Sequence, residues 1–328
     1  MTLFELNAAN AADYLRAHHG IEATSIEELG GGVSNVVLRV ESAAAHLPFV
    51  MKQSLEKLRV EQDWFSDRER IHRECDAIRR LHALLPAGEI PGIVFEDAAN
   101  CIFAMTAAPP DALPWKTILM SRRIDLAVAG RIGEILARMI EVSRGQDEWL
   151  AAFGDRNVFD QLRLDPYYRS TALRHPDLAS FFAGLVEETL SRRYSLVHGD
   201  WSPKNLLVDP HGRVTAIDFE VIHYGDPAFD AGFLINHLLL KTVYLGEDYR
   251  PAARLFFEKV SRAVNKDWFE PAVIRHLGAL MLARVDGKSP AEYIRTDALR
   301  KRVRELARHI ILQPPRSMDA LLNWYPAR

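Results

Sequence analysis

His198, Gly199 and Asp200, followed after four residues by Asn205, stand on the stretch LVHGDWSPKNLLV, where apolar ends enclose a polar run and Pro203 stops a helix or strand from continuing. These types at this spacing suit phosphoryl transfer. Asp200 can orient a hydroxyl nucleophile and accept its proton, and Asn205 offers an amide oxygen to a hard cation such as Mg2+. Thirteen residues after Asn205, the apolar stretch AIDFE ends in Asp218 and Glu220. Asp218 completes the order catalytic Asp, Asn, metal Asp; Glu220 is either a second metal ligand or a substrate contact. An HGD tripeptide alone is compatible with a turn whose aspartate caps backbone groups. With Asn205 and Asp218 at these intervals it reads as a reaction centre.

A second set lies earlier in the chain. Gly30, Gly31 and Gly32 let a backbone turn approach phosphate oxygens without a Cβ in the way, although three glycines also make an ordinary hairpin turn. Lys52 on the following strand can neutralise nucleotide phosphates, and Glu74 on the next helix can hold that ammonium in place. The alternatives are an edge-strand charge for Lys52 and a solvated helix residue for Glu74, which has Arg70, Arg73 and Asp76 around it.

The elements that must position these groups are legible as patterns. An amphipathic helix closed by Gly20 precedes strand, Gly-rich turn and strand over TSIEELGGGVSNVVLRVES, and PFVMKQSL makes a third strand carrying Lys52. Ile71, Cys75, Ile78, Leu81 and Leu85 recur as one face of a helix over 67–85; GIVFED and CIFAMT are two more strands before the proline-rich AAPPDALP. The expected division is a small sheet-bearing lobe, 1–106, and a mainly helical lobe, 107–328. Helices are predicted at 114–121, 125–143, 177–193, 227–243, 250–264, 270–284, 296–312 and 316–324, with strands at 206–208 and 214–217 joined by the turn DPHG.

Composition limits the alternatives. With 328 residues, 48% hydrophobic and 26% charged, the chain can bury a large core; a net charge of -3 gives no reason to expect nucleic acid or an anionic membrane as partner. The basic stretch 295–309 reads as a solvated helix face. Two cysteines, Cys75 and Cys101, make no disulfide framework or zinc site and fit a reducing, cytoplasmic compartment. The first twenty residues lack the pattern of a signal peptide, and no apolar run is long enough to span a bilayer. No GxSxG or Cys/His arrangement suggests a hydrolase.

The chain resembles the aminoglycoside phosphotransferase and choline kinase superfamily of small-molecule kinases over roughly residues 25–245, and within it most resembles the methylthioribose kinase family. The resemblance is carried by LGGGVSNVVLRV, by KQSLEKLRVEQDWFSDRERIHRECDAIRRL, by LDPYY and by IDFEVIHYGDPAFDAGFLINHLLL. It implies a protein-kinase-like two-lobe α+β fold, ATP and Mg2+ as donor and cofactor, and a small hydroxyl-bearing acceptor such as methylthioribose. Choline, homoserine or aminoglycoside acceptors, and a nucleotide-binding module without turnover, are the alternatives. It further implies nucleotide contacts from Gly30, Gly31, Gly32, Ser34, Asn35, Lys52 and Glu74, with adenine near Met105, and magnesium at Asn205 and Asp218. Asp230 is implied to brace the catalytic loop, and His198 to fix it without exchanging protons. Asp226 caps the start of the next helix. Trp201, Tyr167 and Tyr168 either stack on a sugar or pack. The chain departs from the methylthioribose kinases in reading HGDWSPKN rather than HGDLHTGS, and DFEV rather than DPEF. The basic excess after residue 230 disfavours cationic acceptors. The oligomeric state stays open, a homodimer included.

Overall fold

A computed structural model describes residues 4–30, 34–43, 48–56 and 67–326. The chain divides into two compact units, Met1–Asp111 with Asp218–Glu220, and Ala112–Ile217 with Val221–Arg328.

In the first unit, α1 (Ala11–His19) is closed by Gly20 at φ 64°. It leads into β1 (Ala23–Glu28), β2 (Asn35–Ser42) and β3 (Phe49–Ser54); then come α2 (Arg70–Leu84), β4 (Ile93–Asp97) and β5 (Ile102–Thr106). The five strands form an antiparallel sheet in the order β1-β2-β3-β5-β4. β3 is therefore the middle strand, with Lys52 opposite Val37 on one side and Phe103 on the other, so Lys52 is not an edge charge. Side chains alternate across a strand. Phe49 and Met51 join Leu15, Leu38 and Ile102 in the core with α1, while Lys52 reaches α2. On α2 the expected stripe of Ile71, Cys75, Ile78 and Leu81 is buried.

The second unit opens with β6 (Leu113–Pro114), α3 (Trp115–Met120), α4 (Leu126–Ser143), α5 (Asp147–Phe153) and the single turn α6 (Asn157–Phe159). Asp160–Arg169 then winds more widely, with i to i+5 bonding such as Ser170 N to Asp165 O; Pro166 lies inside this segment and has no N–H to give. α7 (Ser170–Arg174) and α8 (Ala179–Ser191) precede four short strands, β7 (Ser195–Val197), β8 (Leu206–Val208), β9 (Val214–Ala216) and β10 (His223–Gly225). β7 pairs with β10, and β8 lies between β6 and β9. The remainder is helical: α9 (Ala228–Leu245), α10 (Arg250–Val264), α11 (Phe269–Asp286), α12 (Asp297–Leu312) and α13 (Met318–Trp324).

The α+β class is as expected, a small antiparallel sheet followed by a mainly helical region. Each predicted helix is present with ends shifted by a few residues, whereas α5 to α7 and the strands β6, β7 and β10 were not anticipated. Asp218 and Glu220, assigned by sequence to the helical part, belong to the first unit because their partners lie there. No helix among the described residues is long and apolar enough to cross a membrane.

Candidate active site

Lys52 is buried in the first unit with its Nζ 2.8 Å from Glu74 and 2.6 Å from Asp218. Glu74 has no solvent exposure, and its Oε1 also accepts the Phe219 N–H at 3.0 Å, which ties the Asp218–Glu220 strap to α2. Burial alone would lower the Lys52 pKa. The carboxylates of Asp218, Glu74 and Glu220 outweigh it and hold the ammonium above the ordinary lysine value. Burial pushes the Glu74 carboxyl up to about 7 against the pull of Lys52. Asp218 holds a left-handed backbone at φ 69°, which a non-glycine residue rarely adopts.

Glu220 is enclosed by a second set of partners. Its oxygens accept from Ser34 Oγ and Asn35 Nδ2, each at 2.9 Å, and Arg70 Nε lies 3.3 Å away. Arg70 is itself buried, and its guanidinium also donates to the carbonyls of Ser34 at 2.5 Å and Leu55 at 3.0 Å. Sequence reading passed over Arg70 because it sits in a charged run. The available signal was its position one turn before Glu74, on the same helix face. Gly30 is described, with open space where a Cβ would lie. Gly31 and Gly32 fall outside the described residues. Met105 is buried on β5 between Val50 and Ile93.

The second unit builds the HGD loop at the end of β7. Both oxygens of Asp230, on the first turn of α9, accept backbone N–H groups: His198 at 2.6 Å and Gly199 at 2.9 Å. Burial raises the Asp230 carboxyl to about 7, against these two donors. The Asp200 N–H can only donate, at 3.2 Å, so His198 Nδ1 accepts and the ring proton on Nε2 is donated to the Ile217 carbonyl at 3.1 Å. His198 thereby links the loop to the end of β9.

Asp200 is buried, and its Oδ2 lies 3.0 Å from Arg163 Nη2 and 2.9 Å from Lys204 Nζ. Arg163 comes from the wide 160–169 turn, where its Nε also donates to the Gly199 carbonyl at 2.6 Å. Arg163 directly precedes LDPYY, and its sequence position alone does not mark it as a partner of the HGD loop. Asn205 Nδ2 donates to the Asp200 carbonyl at 3.0 Å, and among the described residues the Asn205 amide oxygen accepts no hydrogen bond. The Asn205 carbonyl takes the N–H of Ile217, the residue before Asp218. Trp201, Tyr167 and Tyr168 are all buried: Trp201 lies edge-on to His198, and the Tyr168 hydroxyl is 2.7 Å from His276 Nδ1. Asp226 accepts the Ala228 N–H at 3.0 Å, the capping bond expected of it, and also pairs with Arg192.

Gly199 shows how little slack the loop has. Its φ is 78°, and a Cβ there would sit 2.8 Å from both Val221 Cγ1 and the Val221 carbonyl oxygen. Gly199→Ala is expected to cost on the order of 2–4 kcal/mol from left-handed strain plus overpacking, read as a lowered denaturation midpoint.

A sequence profile of the phosphotransferase enzyme family matches residues 25–257. The chain belongs to that family. The chain is 26% identical over 266 residues to a methylthioribose kinase of Yersinia enterocolitica, covering 71% of this chain and 65% of the relative. It thus spans just under two thirds of that protein's length. It is 25% identical over 257 residues to a 4-hydroxytryptamine kinase of Psilocybe cyanescens, covering 69% and 71%. Among solved structures it shares its fold with an amicoumacin kinase, TM-score 0.61 at 13% identity over 95% of both chains. A second is aminoglycoside 2'-phosphotransferase-IIIa, TM-score 0.57 at 17% identity over 94% of this chain and 99% of that one.

Proposed function

We propose that this phosphotransferase transfers the γ-phosphoryl group of ATP, with Mg2+, to a hydroxyl of a small polar metabolite, a sugar or sugar-like alcohol. The observation that carries the reading is the Asp200 carboxylate, presented on a loop whose two preceding backbone N–H groups are clamped by Asp230. Phosphoryl transfer depends mainly on positioning and charge stabilisation, and a clamped carboxylate supplies positioning. The acceptor oxygen attacks the γ-phosphorus as the bond to the β–γ bridging oxygen breaks; Asp200 takes the hydroxyl proton and ADP departs. Arg163 and Lys204 hold the Asp200 carboxylate in place.

Lys52, kept charged by its carboxylate partners, is assigned to the donor phosphates, with the buried Glu74 as its anchor. Magnesium takes one or two protein oxygen ligands beside phosphates and water. The Asp218 carboxylate and the Asn205 amide oxygen are donors of that kind, and the cation would neutralise charge on the transferring group. Glu220 is assigned to holding Ser34 and Asn35 at the start of β2, because both of its oxygens are already used there. The relatives named for kinases of methylthioribose and 4-hydroxytryptamine support a small-molecule acceptor, and the amicoumacin kinase was solved with AMP-PNP and Ca2+.

ADP release dependent on both Mg2+ and an added alcohol tests this reading. Turnover with at least one acceptor is expected. Tight ATP binding without turnover on a broad panel would instead indicate a nucleotide-binding module.

A further inference from the structure

A basic, partly buried face on the same unit as Asp200 has no role in the chemistry above. On α9, Phe233, His237, Lys241 and Tyr244 recur at three- and four-residue intervals and share one side of the helix. Lys241 is 1% exposed; its ammonium donates within its own helix to the His237 carbonyl at 3.3 Å and lies 5.3 Å from the Tyr293 ring. Among the described residues no carboxylate lies within ion-pairing distance of it. The nearby Glu292 is taken by Lys116 at 2.5 Å. A buried ammonium without a counter-ion is costly, and proteins rarely keep one without a use.

The face is continuous with the catalytic loop through side-chain contacts. Lys241 and His237 are one turn apart; the His237 ring lies 5.1 Å from Phe233, and Phe233 lies 5.8 Å from Tyr167. The Tyr167 hydroxyl is 3.4 Å from Arg284 Nη1, and Tyr167 shares its turn with Arg163, the partner of Asp200. Arg284 of α11 is 8% exposed, and its Nε has no hydrogen-bond partner. Arg163 and Lys204 already pair with Asp200, and Asp230 lies beside it, whereas Lys241, Arg284, Lys204 and Lys116 all act on the His237 ring and lower its pKa together with burial. Such a field repels a cationic acceptor and leaves a neutral one nothing to pair with Lys241.

We propose that the acceptor alcohol carries an anionic group, a carboxylate or a phosphate, which Lys241 and Arg284 receive while Asp200 addresses the hydroxyl. This deepens the kinase reading and rests on it for the second half. His237, partly exposed, is one turn from Lys241 and is flanked by the same cations.

The charge environment agrees. Burial, then Arg284 and Lys116, lower the Lys241 pKa to about 7, with Glu292 opposing; Tyr293, His237 and Tyr244 complete its surroundings. A bound anion would raise it again. Anion affinity is therefore expected to weaken as pH rises through about 7, where free Lys241 loses its proton, without vanishing, because Arg284 stays charged.

The test is equilibrium binding by calorimetry on the full chain, with glycerate and ribose 5-phosphate against their neutral parents glycerol and ribose, and with choline as the cationic probe. Wild type is expected to bind one of the two anions at least tenfold more tightly than its neutral parent, and the arm that succeeds names carboxylate or phosphate. Lys241→Met should reduce that preference to within about threefold and Lys241→Arg should keep it. If Lys241 is held for a ligand, Lys241→Met should also melt no lower than wild type, since an unpaired buried charge gives way to an apolar chain of similar length. Neutral parents or choline binding as tightly as the anions, or a preference that survives in Lys241→Met, would overturn the proposal. ADP release by the wild type separates the two readings: anion preference with no ADP release from any acceptor leaves the anion site standing and the kinase reading fallen. Turnover of a neutral sugar without anion preference does the reverse.

Discussion

Asp200→Asn is expected to lower kcat by about 10²–10⁴-fold while leaving ATP affinity within a few-fold of wild type. The replacement is isosteric and the clamp from Asp230 to His198 and Gly199 is untouched, so the loop keeps its path. What is lost is the group that takes the hydroxyl proton, together with the ion pairs to Arg163 and Lys204. Steady-state ADP release beside a thermal melt separates the two effects. A large fall in kcat with a small change in melting temperature assigns Asp200 to the chemistry, and a variant retaining a tenth or more of wild-type kcat removes it from that role.

Lys52→Met is expected to produce the largest loss of stability. Its Nζ bridges Glu74 and Asp218 inside the first unit, and removing it leaves two carboxylates facing each other, one of them with no solvent exposure. Breaking a buried pair in this way costs about 3–5 kcal/mol, seen as a lowered urea midpoint at unchanged slope. The double variant Lys52→Met, Glu74→Gln should recover part of that loss, with a coupling of roughly 1–3 kcal/mol, because the orphaned charge is gone. Proton linkage gives a further sign. Glu74 already has a folded-state pKa raised to about 7 by burial, and without Lys52 it rises further. A carboxyl with a raised folded pKa binds more protons in the native state. The deficit of Lys52→Met should therefore narrow as the buffer is taken from about pH 8 to about pH 6, and widen in the opposite direction.

The parts of this fold legible in the sequence were those with a strong period. Ile71, Cys75, Ile78 and Leu81 announced α2, and the alternating strands around Lys52 announced the sheet, because burial of one face leaves a regular trace. The 160–169 turn left none. Its i to i+5 winding matches neither the helical nor the strand period, and Pro166 reads as a breaker. Arg163 went unnoticed with it. Arg70 was hidden for a different reason: an arginine among charged neighbours looks solvated until a partner 150 positions away, Glu220, is brought to it by the fold. The Asp200, Asn205 and Asp218 spacing was legible because those groups sit on short local elements. The pairing of Ser34, Asn35 and Arg70 with Glu220 was not, since nothing local encodes it.

The strap of Asp218–Glu220 has a consequence for how the chain is made. The ribosome delivers residues 1–111 first, yet the middle strand's lysine and the buried Arg70 must wait for carboxylates that emerge more than a hundred residues later. At ordinary elongation speeds that interval is about 5 to 20 s. During it the nascent sheet holds Lys52 against Glu74 without Asp218, and Arg70 lacks Glu220. The first unit to be synthesised is thus among the last to be finished, and a fragment ending at residue 111 would lack part of its own interior.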